Sequence, residues 1–113
     1  MEIQIHTDKH VTVDDRLRDR VREHVEGVLA QFEHRVTHVE VHLVDESAGR
    51  TGGDHVRCLL LARPAGQDAL TVTAHAETTG AALVAAIGKL EALLRHTLDR
   101  LADKNQRDTI RGR

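Results

Sequence analysis

Aromatic side chains are almost absent from this chain: Phe32 stands alone, with no tryptophan and no tyrosine. A protein that reads single-stranded nucleic acid by stacking bases on several rings is thereby excluded, and the core must be built from Val, Leu, Ile and Ala. Cysteine is as scarce. Cys58 has no second thiol to pair with, so neither an internal disulfide nor a multi-cysteine zinc site can form. Ser47 is the one serine and lacks the setting of a nucleophile elbow, which removes an acyl-transfer triad. Gly49, Gly52 and Gly53 lack the lysine and the strand-to-helix context of a phosphate-binding loop. No window holds the ~18–20 apolar residues of a membrane span. The start, Met1-Glu2-Ile3-Gln4-Ile5, is unlike the basic and then long apolar opening of a signal peptide. A cytoplasmic setting without membrane contact is expected, with no catalytic residue and no cofactor.

What is present suits one folded domain. The 113 residues are 40% hydrophobic and 30% charged, too apolar for a disordered chain. Sixteen Lys and Arg face 18 Asp and Glu, for a net charge of −2, so the molecule as a whole exerts no pull on a polyanion. The charge is unevenly spread. Lys104, Arg107, Arg111 and Arg113 against Asp108 leave residues 104–113 at +3 and the first 103 residues at −5.

Periodicity predicts the elements. Ile3 and Ile5 alternate with Glu2, Gln4 and His6 as in a half-buried strand. Asp14 and Asp15 offer a cap and a first-turn acid to a helix over about 14–32, with Leu17, Val21, Val25, Val28, Leu29 and Phe32 on its apolar face. Period two returns over 36–45, where Val39, Val41 and Leu43 oppose His38, Glu40 and His42. Residues 46–54 are a glycine-rich connection. A third strand over 55–63 carries Val56, Cys58, Leu60 and Ala62 inward, which makes Cys58 a structural thiol. The turn Pro64-Ala65-Gly66-Gln67-Asp68 leads to a fourth strand over 69–76. Thr78 or Thr79 then caps a helix over about 80–103 with a seam of Leu83, Ile87, Leu90, Leu94, Leu98 and Leu101. The expected class is α+β, in the order β-α-β-β-β-α, with two helices on one face of a four-stranded mixed sheet. Strands one and two should be parallel and strands two to four an antiparallel meander. The domain spans 1–104, and 105–113 form a basic polar tail expected to be flexible.

Two residue classes could carry chemistry. Nine histidines are unusual for this length; His38 and His42 share the outer face of one strand, and His6 and His75 occupy outer faces of others. A zinc or nickel site across the sheet would need convergent ligands and a supporting shell, so scattered surface histidines and no metal are the expectation. In mild acid they would add positive charge and strengthen anion binding. The basic residues are better organised. Lys89, His96, Arg100, Lys104 and Arg107 fall on one helical stripe, roughly opposite the leucine seam, which runs into the tail. Arg16 and Arg20 share a face of the first helix, and Arg57, Arg63 and Lys9 add charge to the sheet face or its ends. Such spacing can track phosphates without reading sequence; the simpler account is solvated helix faces paired with Glu23, Glu91, Asp99 and Asp103.

Several segments in order resemble the hibernation-promoting factor and ribosome-associated inhibitor family in its short form. They are Ile3-Gln4-Ile5-His6-Thr7-Asp8-Lys9, the run Arg35 to Glu46, the segment His55 to Arg63 and the ending Leu94 to Leu101. The resemblance covers about residues 1–104. It implies a non-enzymatic stress factor that docks on the small ribosomal subunit in the channel for messenger and transfer RNA and blocks translation. Its contacts with ribosomal RNA would fall on Lys9, Arg57, Arg63, Lys89, Arg100 and Lys104. The helix stripes add Arg16, Arg20 and Arg107 to the candidate RNA-binding set. Typical members begin the second helix with Asp-Met-Tyr, where this chain has Ala82-Leu83-Val84, and short members are distinctly basic. The dimerising domain of the family's long form is not expected; a monomer is, with a weak homodimer as the variant. The competing readings are a protein-interaction module that uses Leu59 and Leu61 on the open sheet face, and a metal-binding or catalytic protein that uses the histidines.

Overall fold

The computed structural model describes residues 1–8, 11, 14–46 and 53–111, with side chains described through Ala102. The elements are β1 (Glu2–Thr7), α1 (Asp15–Leu29) with a 3-10 turn over Ala30–Phe32, β2 (Val36–Asp45), β3 (Val56–Pro64), β4 (Leu70–Ala76) and α2 (Thr79–Arg111). Strand order is β1-β2-β3-β4, with β1 parallel to β2 and the other pairs antiparallel. The crossover through α1 makes the first pair parallel, while short connections make the rest a meander. The α+β architecture is therefore the one that periodicity predicts.

Local chemistry sets the element ends. Asp14 is extended, with φ −120° and ψ 174°, and its Oδ1 accepts the amide of Leu17 at 2.8 Å, satisfying one of the donors a helix start leaves open. Thr78 does the same for α2, its Oγ1 accepting from Ala81 N at 3.1 Å. Between β3 and β4, Gln67 N donates to Pro64 O at 3.1 Å, and Gly66 has φ +72°. A type II turn needs positive φ at that position, where any side chain is strained.

Both helices cover the inward face of the sheet. Val21, Val25 and Leu29 of α1 and Leu83, Ile87, Leu90, Leu94 and Leu98 of α2 are buried against Ile3, Val39, Val41, Leu43, Val56, Cys58, Leu60 and Ala62. Among the described residues no polar or charged residue is buried. Full burial of each such Leu or Val is worth about 1.5–3 kcal/mol.

Two features depart from the sequence pattern. Val36 is buried although its even position would set it with His38 and Glu40 on the outer face. A bulge resolves the conflict: Val36 pairs with Pro64 but His38 already with Arg63, so Thr37 is the extra residue and the alternation resets. Thr37 Oγ1 donates to Arg63 O across it at 3.2 Å. The bounds of α2 also run to Arg111, past the expected end near 103 and through most of the stretch 105–113 expected as a tail. The side chains there, and Gly112 and Arg113, lie outside the described residues.

Candidate nucleic-acid interface

No element of the described chain covers the outer face of the sheet. Register places its side chains in rows: Glu2, Gln4 and His6 on β1 oppose His38, Glu40 and His42 on β2. Arg63, Leu61, Leu59 and Arg57 on β3 oppose His38, Glu40, His42 and Val44, and Thr71, Thr73 and His75 line β4. Leu59 and Leu61 are half-buried in this lattice, and among the described residues the exposed large apolar ones are Met1 and Val84.

The candidate RNA-binding residues divide between the two ends of the fold and its β4 edge. Arg63 lies at the end where the β3–β4 turn sits. Arg35 is close by, its guanidinium donating to Leu98 O of α2 at 3.1 Å while Ala65 N donates to Arg35 O at 2.9 Å. Arg100, two residues past Leu98 and exposed, belongs to this end as well. Arg57 lies at the opposite end, with its Nε 3.6 Å from Glu46 Oε1; the same carboxylate oxygen is 3.4 Å from His75 Nε2. Arg16 and Arg20 are exposed on the first turns of α1, which start beyond the β1 end that pairs with Leu43. Lys89 donates to Thr73 O at 2.8 Å, so this residue of the α2 stripe reaches β4, the edge strand of the sheet. Lys9 and the side chains of Lys104 and Arg107 lie outside the described residues. Among the described residues Arg16, Arg20, Arg63 and Arg100 form no ion pair, whereas Arg95 pairs with Glu91 at 3.7 Å. Glu91 also accepts from Gln31 Nε2 at 3.0 Å, tying the helices together.

Sequence reasoning placed His6, His38 and His42 on outer faces, but not beside one another. The parallel register makes His6 and His42 direct neighbours, and their rings stack with centroids 4.6 Å apart at 16°. Glu40 lies between His38 and His42: His38 Nε2 is 2.9 Å from Oε2 and His42 Nε2 is 3.0 Å from Oε1. These two hydrogen bonds hold the Glu40 carboxyl below the usual carboxylate value. The signal was legible only in part, because two-residue spacing puts these groups on one face while only strand pairing says which histidine faces which. Arg35, whose guanidinium ties α2 to the start of β2, left no sequence signal. Cys58 is fully buried, and burial pushes its thiol up to about 12, so it is no nucleophile.

No helix among the described residues is long and apolar enough to cross a membrane. A family model described as "Sigma 54 modulation protein / S30EA ribosomal protein" matches residues 3–102. No curated protein matches the chain. Among solved structures, the N-terminal domain of Thermus thermophilus Protein Y aligns with a TM-score of 0.68 at 17% identity, covering 86% of this chain and 99% of that one. A ribosomal subunit interface protein from Coxiella burnetii aligns with a TM-score of 0.64 at 15% identity, covering 88% of this chain and 99% of that one. At such identities the structural likeness speaks for the fold alone.

Proposed function

The chain belongs to the sigma 54 modulation protein / S30EA ribosomal protein family, and from that membership we propose that it is a cytoplasmic hibernation factor that docks on the small ribosomal subunit. It sits near the channel for messenger and transfer RNA and inhibits translation by filling space there. The observation that carries the reading is the family match over residues 3–102. The family is one of ribosome-associated factors, non-enzymatic in kind, and the chain's one thiol is buried.

The chemistry of docking is electrostatic. A globule of net charge −2 approaches a polyanion by presenting its unpaired cations, and among the described residues Arg63 and Arg100 at one end of the fold form the face best suited to track phosphates. Lys89 contributes from the β4 edge. Arg57, already facing Glu46, contributes less.

The test is sedimentation of tag-free protein with purified small subunits, comparing wild type with a variant carrying Lys89→Glu, Arg100→Glu and Lys104→Glu. Lys89 and Arg100 are exposed and off the buried seam, so folding should survive, as circular dichroism would verify, while binding collapses. Undiminished sedimentation of the folded variant would move the contact surface elsewhere. Wild-type sedimentation that ignores salt would reject the electrostatic account.

A further inference from the structure

The proposed docking uses the arginines and lysines and leaves the histidine cluster of the open sheet face without a role. That cluster is organised. Glu40 Oε1 lies 3.0 Å from His42 Nε2 and 3.9 Å from His6 Nε2, and one ligand atom from each of the three side chains lies within 4.8 Å of the other two. We propose that His6, Glu40 and His42 form a binding site for one divalent transition-metal ion of the zinc or nickel class.

Distances support the assignment. A tetrahedral ion with bonds of about 2.0–2.2 Å holds its ligand atoms about 3.4 Å apart, and the separations of 3.0 and 3.9 Å fall on either side of that value. The widest separation, at most 4.8 Å, must close by about 1.4 Å at most to meet this spacing. Closing that gap takes the His6 and His42 rings out of their stack, so that both in-plane lone pairs turn toward one ion; the side chains are partly exposed, with His6 retaining 49% of its accessible surface, His42 38% and Glu40 28%. The backbone is already in place. Parallel pairing fixes His6 opposite His42, and the strand repeat puts Glu40 on the same face as both.

A supporting shell exists too. His38 Nε2 lies 2.9 Å from Glu40 Oε2, whereas His6 and His42 face Oε1, and so orients the carboxylate as outer groups do in metal sites. Two imidazoles and one carboxylate suit zinc, nickel or copper, whereas magnesium and calcium prefer oxygen throughout. Three protein ligands at the protein surface leave a further position to water.

The experiment uses full-length protein without an affinity tag, titrated calorimetrically with zinc chloride and then with nickel chloride. One ion per chain is expected, with affinity reduced at least about tenfold in Glu40→Gln and His42→Ala, and unchanged in His96→Ala, an exposed histidine of α2. Ring resonances of His6 and His42 should move on zinc addition to the wild type while that of His96 stays; this readout needs no variant and decides the matter if a variant unfolds. Absence of saturable uptake by on the order of 100 μM zinc, uptake retained in both ligand variants, or shifts confined to other histidines would each overturn the proposal.

Discussion

If docking follows the cations at the β3–β4 turn, two substitutions there should change how binding responds to salt, not merely its strength. Arg63 pairs with His38 near the start of β2, and Arg100 follows the α2 carbonyl that Arg35 holds. Arg16 and Arg20 lie near the other end of the sheet, beyond the β1 residue that pairs with Leu43, and serve as the internal control. Each phosphate neutralised contributes about 0.9 to the slope of log affinity against log salt, so Arg63→Gln with Arg100→Gln should lower the slope by about 1.8. Over a fourfold rise in salt, from about 50 to about 200 mM, wild-type affinity should fall about 12-fold more than that of the double variant. Arg16→Gln with Arg20→Gln should leave the slope as it is. Each guanidinium is exposed, so stability should stay within about 0.5 kcal/mol and the thermal midpoints should coincide. The assay is quantitative pelleting of small subunits through sucrose at a series of potassium chloride concentrations. An unchanged slope in the first pair, or an equal drop in both pairs, would refute the argument.

Three further outcomes test the fold. Cys58 should resist a thiol reagent in the native protein at pH 8 and react at once in denaturant, because burial holds the thiol neutral up to about 12, from an ordinary value of 9.0. The contribution of the neutral thiol to stability is complete below about pH 9 and is lost as pH rises toward 12, since the unfolded chain gains its thiolate first; denaturant midpoints at stepped alkaline pH, compared with those of Cys58→Ala, measure it. Asp14→Ala removes the acceptor of the Leu17 amide and should cost about 1 kcal/mol, lowering the melting temperature by about 4 °C in a calorimetric scan.

Much of the fold was determined by local chemistry. Strict alternation in Ile3-Gln4-Ile5 and Val39-Glu40-Val41, helical spacing from Val21 to Leu29 and from Leu83 to Leu98, and the caps at Asp14 and Thr78 are properties of neighbours in sequence, and each element forms where they say. The parallel β1–β2 pair followed from the helix between them, and the meander from short turns, so topology too was largely legible. Val36 was not, because a bulge arises only where β2 meets β3, and the shift of register between the Val36–Pro64 and His38–Arg63 pairs is absent from the β2 sequence taken alone.

The cationic set divides in the same way. Residue type and helical spacing marked Lys89, Arg100, Arg63 and Arg57 as candidates, but charge in sequence carries no record of what stands opposite. Tertiary structure turns Lys89 to a strand-edge carbonyl, sets Arg57 against Glu46 and leaves Arg63 and Arg100 open. It also makes neighbours of His6 and His42, 36 positions apart in the chain. Periodicity is a one-dimensional signal and determines which face a side chain takes; convergence depends on pairing between distant segments, and only the assembled sheet decided it.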